Sequence, residues 1–270
     1  MNIEYFIILG AVGIIAGILS GMFGIGGGVI IVPSLITLYT YYGFNSHYLV
    51  HVAIATSLLI VAITSLFASF RYYRLNNVIW SAAFITGITG SLCVFLFSMV
   101  VLNLNGKILS IIISVVIIII AVKLFIGEKS ETGDKNEDII EYNNWLFIPT
   151  GLLIGIISAF TGLGGGIFTI PILHYFFKIP FKKAIGTSSV AIIFTAIGGV
   201  VSYYFNKPDD FAGGIYFFGL SDLKLAVPIL LFSIPASYIG VHLNTRMNNS
   251  LLSKSFGFLI LVIAAKIILL

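Results

Sequence analysis

Hydrophobic stretches follow one another along the chain, separated by short polar or glycine-rich breaks. Eight of the ten stretches approach or exceed the ~20 residues that a membrane-spanning helix needs. The ten stretches are 5–22, 29–42, 52–70, 78–101, 106–126, 145–161, 167–177, 184–205, 223–244 and 251–270. The pattern predicts an all-α polytopic membrane protein with eight long segments and two short ones, at 29–42 and 167–177.

A glycine run precedes each short segment, and the two runs correspond. Gly24 to Gly28 reads Gly-Ile-Gly-Gly-Gly, and Gly162 to Gly166 reads Gly-Leu-Gly-Gly-Gly, 138 positions later. Each run is followed five residues later by a proline, Pro33 or Pro171. Three consecutive glycines cannot continue a helix cheaply, since each costs about 1 kcal/mol relative to alanine. The runs therefore serve something other than helix stability.

The correspondence continues beyond the glycines and indicates an internal duplication. Residues 53–57, Ala-Ile-Ala-Thr-Ser, are matched by residues 184–188, Ala-Ile-Gly-Thr-Ser, 131 positions later. We predict one transmembrane repeat at 1–126 and a second at 145–270, each with about four long helices and one short, glycine-broken segment. Between them, 127–144 holds six acidic residues and two lysines without apolar periodicity, which predicts a solvated linker.

The distribution of lysine and arginine residues predicts how the repeats are oriented. A chain that crosses the membrane once at each glycine run places eight basic residues on one face and six on the other. A chain that enters and returns at each run places ten on one face and four on the other. Because basic residues favour the cytoplasmic face, we predict inverted repeats, a cytoplasmic linker and both termini outside.

Composition excludes an ordinary soluble protein. The chain is 59% hydrophobic and 9% charged, with a mean hydropathy of +1.12, so it cannot build the charged surface of a soluble domain. The pI near 9.1 is explained by basic loops beside anionic lipid and needs no nucleic acid. The predicted location is the cytoplasmic membrane, and the predicted partner is the lipid bilayer. The sequence does not decide whether the protein forms a homo-oligomer.

Few residues could support catalysis, proton transfer or metal binding. No acidic residue falls within a predicted apolar stretch, which argues against an intramembrane aspartyl protease and predicts no carboxylate proton carrier. Four other titratable residues could still carry a proton, so proton-coupled transport is not excluded: His51, His242, Lys123 and Lys266. His51, His174 and His242 have no regular spacing, and Cys93 is the only cysteine, so we predict no metal site and no disulfide. The chain lacks H-E-x-x-H and the Gly-Lys-[Ser/Thr] of a P-loop, and we predict neither a cofactor nor an enzyme.

The glycine runs are the candidate substrate site. Non-helical backbone is tolerated at membrane depth where it is buried in protein or lines a polar cavity. Successive N–H groups ahead of a helix form an electropositive nest, and a helix N-terminus adds roughly half a positive charge. Two nests facing each other near the bilayer midplane favour a small anion, as in secondary transporters. The predicted substrate-binding residues are Ser20, Gly24, Gly26, Gly27, Gly28, Thr56, Ser57, Ser158, Thr161, Gly162, Gly164, Gly165, Gly166, Thr187 and Ser188.

Structural alternatives stand beside these assignments. The hydroxyls of the two Thr-Ser pairs could instead bond back to carbonyl groups of their own helix. Gly13, Gly17 and Gly21 are spaced by four, as are Gly151 and Gly155. Small residues at this spacing favour close packing of helices, and we interpret these five glycines in that way.

The duplicated G-x-G-G-G-x4-P-x-L element, at Gly24 to Leu35 and Gly162 to Leu173, together with Ala-Ile-x-Thr-Ser, resembles the TauE/SafE family. The resemblance covers nearly the whole chain and both repeats, although the first copy has Ala55 where the second has Gly186. It implies a secondary transporter, often an exporter, of sulfite, organosulfonates or related small sulfur-containing anions. The alternative is a membrane-embedded structural or sensing subunit without transport of its own.

Overall fold

The computed structural model describes residues 3–43, 48–104, 143–209 and 214–249, together with residues 115, 211, 251–252 and 254–258. Three predicted regions lie wholly or largely outside these ranges: the segments at 106–126 and 251–270, and the linker at 127–144.

Helices form nearly all of the described regular structure. They are α1 (Ile3–Phe23), α2 (Gly28–Tyr41), α3 (Leu49–Arg74), α4 (Trp80–Leu102), α5 (Phe147–Thr161), α6 (Gly166–Pro171), α7 (Phe181–Phe205) and α8 (Leu223–Arg246). A 3-10 turn at Asn144–Leu146 leads into α5, and a π-helical turn at Ile172–Phe176 extends α6. A short antiparallel hairpin of β1 (Phe217–Phe218) and β2 (Ser221–Asp222) leads into α8.

Six of the described helices are long and apolar enough to span a membrane: α1, α3, α4, α5 with its 3-10 turn, α7 and α8. This confirms the prediction of an all-α polytopic membrane protein. The short helices α2 and α6 follow the glycine runs, as predicted. Helices α3 and α7 each begin three residues before the predicted stretches. Polar residues in their first turns, such as His51 and Lys182, interrupt the apolar pattern but not the helix.

Glycines bring two pairs of helices into backbone contact. A methyl group at any of four glycines would meet the backbone of the facing helix. The facing pairs are Gly13 with Ile229, Gly17 with Ser233, Gly151 with Thr86, and Gly155 with Gly90. The interpretation of these glycines as packing residues is therefore confirmed. Because the paired positions ascend together, α1 runs parallel to α8 and α5 runs parallel to α4.

Helices α3 and α7 form the centre of the bundle. Their apolar windows are 72% and 78% buried, whereas those of the other four spanning helices are between 39% and 50% buried. The two central helices pack against each other, and α3 also packs against α8, whereas α7 also packs against α4. The outer helices thereby separate the polar residues of α3 and α7 from lipid.

The chain reverses direction at each glycine run. The rings of Tyr5, at the start of α1, and Tyr42, directly after α2, have centroids 4.7 Å apart. The rings of Phe147, the first residue of α5, and Phe177, directly after the π-helical turn, have centroids 4.5 Å apart. Each short helix therefore returns to the end of the bundle at which the preceding long helix began.

Candidate functional site

The two glycine loops, defined as residues 24–28 and 162–166, share one backbone conformation. The φ angles are 60°, 75° and 79° at Gly24, Gly26 and Gly27, and 67°, 69° and 81° at Gly162, Gly164 and Gly165. This left-handed region favours glycine because a Cβ atom would be strained there. Gly27 and Gly165 are the N-cap residues of α2 and α6, and neither helix has a side-chain cap. The N–H groups of both first turns thus have no capping side chain.

The glycine loops pack directly against each other in the protein interior. A methyl group at Gly28 would lie 3.0 Å from the Cα atom of Leu163, and one at Gly166 would lie 2.7 Å from the Cα atom of Ile25. Both loops are buried along their whole length. The last glycine of each run is therefore required by the close approach of two backbones, and the loops lie in contact with each other.

Two serines connect the central helices to the glycine loops of the opposite half of the chain. The Ser57 hydroxyl on α3 donates to the carbonyl oxygen of Gly162 over 3.2 Å, and the Ser188 hydroxyl on α7 donates to that of Gly24 over 3.0 Å. These are corresponding residues and corresponding acceptors. The alternative of a bond back to the same helix is therefore wrong for both serines.

The neighbouring threonines bind the turns that lead into two outer helices. The Thr56 hydroxyl accepts a hydrogen bond from the backbone N–H of Asp222, before α8, over 2.9 Å. The Thr187 hydroxyl accepts one from the backbone N–H of Ile79, before α4, over 3.0 Å. Thr187 also donates to the carbonyl oxygen of Lys183, which is the bond back to its own helix that the sequence left open as an alternative. Both threonines are thus next in sequence to the serines that bind the glycine loops, but they themselves bind the turns before α8 and α4.

The remaining predicted residues lie in the last turns of α1 and α5. The hydroxyls of Ser20 and Ser158 are buried and have no hydrogen-bond partner among the described residues. Their backbone carbonyls accept the N–H groups of Gly24 and Gly162 over 2.8 and 2.9 Å. Thr161 donates to the carbonyl oxygen of Ile157 over 2.9 Å, in its own helix. The two serines are the candidate residues with unused hydrogen-bonding capacity.

An apolar cavity of about 250 Å³ lies between α3 and α7. Its lining residues are Leu59, Ala62, Ile63, Leu66, Ile193, Ile197 and Val200. No side chain in this lining can donate a hydrogen bond, so the cavity does not suit an anion. Within the described ranges, no three His, Cys, Asp or Glu side chains come together as ligands for a metal ion.

A buried carboxylate next to Thr56 was missed by the sequence prediction. Asp222 is 7% exposed, and its Oδ2 atom accepts a hydrogen bond from the Tyr39 hydroxyl over 3.1 Å. Its Oδ1 atom accepts the backbone N–H of Lys224 over 2.9 Å and caps α8. Burial raises the pKa of the Asp222 carboxyl, while the bond from Tyr39, backbone bonds and the Lys224 charge oppose that rise.

The sequence did contain a signal for the cap, because an aspartate directly before an apolar stretch is a helix-start signal. It contained none for burial, because the hairpin that carries Asp222 to α3 joins residues far apart in the chain. The expectation that no acid lies within a span is wrong for Glu4, which is exposed in the first turn of α1.

The sequence of the chain matches a known protein family. The family model for the sulfite exporter TauE/SafE matches residues 9–267 of the chain. The chain belongs to the TauE/SafE family. This protein of the TauE/SafE family is a multi-pass membrane protein, and the match extends over both predicted repeats.

Similar proteins are described as transporters. A probable membrane transporter protein of Methanocaldococcus jannaschii is 32% identical over 88% of this chain and 85% of its own length. One of Haemophilus influenzae is 29% identical over 96% of both chains, and YunE of Bacillus subtilis is 28% identical over 73% and 78%. No solved structure matches the chain. The family and these relatives point to a membrane transporter and not to an enzyme.

Proposed function

We propose that this TauE/SafE protein is a secondary transporter that exports sulfite, organosulfonates or related small sulfur-containing anions across the cytoplasmic membrane. The observation that carries the proposal is the meeting of two non-helical glycine loops inside the bundle, each at the start of a short helix. Secondary transporters bind substrate at such paired half-helix ends near the membrane midplane. The family description and the names of the relatives support the transporter class.

The chemistry of the glycine loops and their neighbours suits an anion. The first-turn N–H groups of α2 and α6 are donors at the positive ends of helices. The Ser20 and Ser158 hydroxyls add donors without partners, and a buried hydroxyl in that state costs about 1–3 kcal/mol. An oxyanion accepting from these hydroxyls and N–H groups would recover that free energy. We propose Ser20, Ser158 and the two loops as the substrate contacts.

Transport through this site requires the two loops to separate. Gly28 and Gly166 lie against the opposite loop, so an anion reaches the first-turn N–H groups after the loops move apart. Separation breaks the bonds that Ser57 and Ser188 make to the opposite loops. Each such bond contributes about 0.5–1.5 kcal/mol net. This is small enough for substrate binding to offset.

We further propose that the two halves of the chain are inverted in the membrane. Helices α1 and α8 run parallel, as do α4 and α5. The start of α3 lies at the end of α4, since a ring nitrogen of His51 is 3.0 Å from the carbonyl oxygen of Val101. The Thr56 bond connects the early part of α3 to the start of α8, and the Thr187 bond connects the early part of α7 to the start of α4. These contacts support opposite directions for α1 and α5.

Cysteine labelling tests the inversion. In a Cys93→Ser background, single cysteines replace Asn103, Asp209 and Asn143, which are exposed. We expect an impermeant maleimide to reach the first two positions from outside the cell and the third from the cytoplasm alone. Labelling of all three positions from the same side would disprove the inverted arrangement.

Anion flux tests the proposed function. Purified protein is reconstituted into vesicles loaded with sulfite, sulfate, thiosulfate or sulfoacetate, and efflux is followed under an imposed potassium–valinomycin potential. We expect protein-dependent efflux of at least one of these anions, while vesicles without protein stay loaded. Absence of flux for the whole panel, with folded protein in the vesicles, would favour the non-transporting structural or sensing subunit.

A further inference from the structure

The Tyr39–Asp222 pair is a polar contact that the proposed anion site does not use. Among the described acids, Glu4 and Asp209 are exposed, whereas Asp222 is 7% exposed. The Tyr39 hydroxyl on α2 donates to it over 3.1 Å, and Ser221 beside it donates to the carbonyl oxygen of Ala55 on α3 over 3.1 Å. The hairpin before α8 thus holds one carboxylate in the interior, between α2 and α3.

The corresponding turn in the first half of the chain shows which contacts the structure needs at the position of Asp222. Ile79 corresponds to Asp222, because each directly precedes an outer helix and donates its N–H to a threonine. Phe177 corresponds to Tyr39, 138 positions later. The counterpart bond, between Ile79 and Thr187, therefore forms without a carboxylate and without a phenol hydroxyl.

Helix capping alone does not account for Asp222. The side chain does cap α8 through the N–H of Lys224. Helix α4, however, begins after Ile79 with no side-chain cap. Asparagine or serine caps a helix about as well and brings no charge into the interior, whereas an ionised carboxylate is costly to bury. Ionisable groups kept in such places mark proton or ion pathways in transporters.

We propose that Asp222 binds and releases a proton during each transport cycle. In this step a proton from the aqueous phase adds to a carboxylate oxygen and is later returned to water, so that one O–H bond forms and breaks. The bond that the Tyr39 hydroxyl donates to Oδ2 weakens on protonation, because its acceptor loses the negative charge. Because Tyr39 lies on α2 and Gly27 caps the same helix, the protonation state of Asp222 bears on the position of the glycine loop. The inference rests on the proposed transport function.

Other titratable groups around Asp222 are few in the described part of the chain. Tyr39 on α2 and Tyr5 on α1 face the carboxylate, and Lys224 lies two residues beyond it on α8. Helix α3 contributes Thr56, which does not titrate. His51, earlier on α3, has a ring nitrogen at the carbonyl oxygen of Val101. Among these described groups around it, Asp222 is the one carboxylate.

The test measures proton movement that accompanies anion flux. Vesicles containing a pH-sensitive dye carry wild-type protein, Asp222→Asn, Tyr39→Phe or the control Asp209→Asn, whose carboxylate is exposed. The anions are sulfate, thiosulfate and methanesulfonate, which bind no proton near neutral pH, so any proton that moves is carried by the protein. Asparagine keeps the cap on α8, and phenylalanine reproduces the residue of the second half.

We expect anion-dependent proton movement in the wild type and in Asp209→Asn, and at least a tenfold loss in Asp222→Asn. Tyr39→Phe should keep the movement and shift its pH dependence. Anion flux without proton movement in the wild type, or unchanged movement in Asp222→Asn, would overturn the inference and leave the transporter proposal intact. Absence of flux for every anion, sulfite included, would instead count against the proposed function and against this inference with it.

An infrared measurement needs no substrate. Difference spectra of the folded protein between alkaline and acidic pH should contain a carboxylic-acid band that is absent from Asp222→Asn. A spectrum in which Asp222→Asn removes no band over the pH range of transport would overturn the inference independently of flux.

Discussion

The two glycine loops and the two turns that lead into α4 and α8 each form a pair with one member in each half of the chain, but the two pairs differ in how closely their members match. The loops have the same left-handed glycines, and each accepts a serine hydroxyl from the opposite half. The turns share a backbone bond to threonine, but one carries Asp222 beside Tyr39 and the other Ile79. The paired loops thus share their backbone geometry, whereas of the two turns the one before α8 carries an acidic side chain.

The largest expected effect concerns the loops. Gly27→Ala and Gly165→Ala should each reduce anion transport by roughly tenfold or more, since a left-handed alanine costs about 1–2 kcal/mol and its methyl group meets Ala16 or Ile154. Gly43→Ala is the matched control, because Gly43 has a φ of 72° and nothing within 4 Å of a Cβ atom. Flux is measured at equal amounts of monodisperse protein. Wild-type transport by either loop variant would remove the loops from the mechanism.

A smaller effect should separate binding from folding at the two unpartnered serines. Ser20→Ala and Ser158→Ala remove buried hydroxyls without partners, so stability should be unchanged or should rise by about 1 kcal/mol. The apparent affinity for the anion should fall roughly tenfold, since a hydrogen bond to a charged group contributes about 1.5–3 kcal/mol. Concentration dependence of efflux and thermal unfolding check the two parts. Ser98→Ala is the control, because Ser98 is equally buried but bonds to Val94 in its own helix. Unchanged affinity in both serine variants would exclude these hydroxyls as substrate ligands.

The smallest effect tests the comparison of the two turns. Thr56→Val and Thr187→Val each leave a backbone N–H without its acceptor, which costs about 1–3 kcal/mol and lowers the Tm by several degrees in a chain of this size. We expect similar losses of Tm, measured in detergent. The pH dependence of transport should change in Thr56→Val alone, because Thr56 contacts the turn that carries Asp222. The same change in both variants would contradict the assignment of proton chemistry to one end.

Particular residues show how far sequence reasoning reached. The glycine loops were predicted because three glycines in a row have few structural uses, and the left-handed φ angles supply the reason. The difference between Ala55 and the corresponding Gly186 looked minor in the sequence. In the structure the carbonyl of Asn77 lies against Gly186, where a Cβ atom would not fit. The partners of the Thr-Ser pairs were not predictable, because Ser57 binds a residue 105 positions away.

The sequence by itself determined the six described helices that can span a membrane and the two glycine loops that interrupt the chain between helices. Both follow from local physics, since apolar length decides whether a segment spans, and hydrocarbon requires each helix to satisfy its own backbone. The tertiary structure alone decided that the loops touch, that the serines cross between halves and that Asp222 is buried beside Tyr39. The reason is separation along the chain: the Tyr39 hydroxyl and Asp222 are 183 residues apart. Their contact exists because α2, α3 and the hairpin before α8 meet at one end of the bundle.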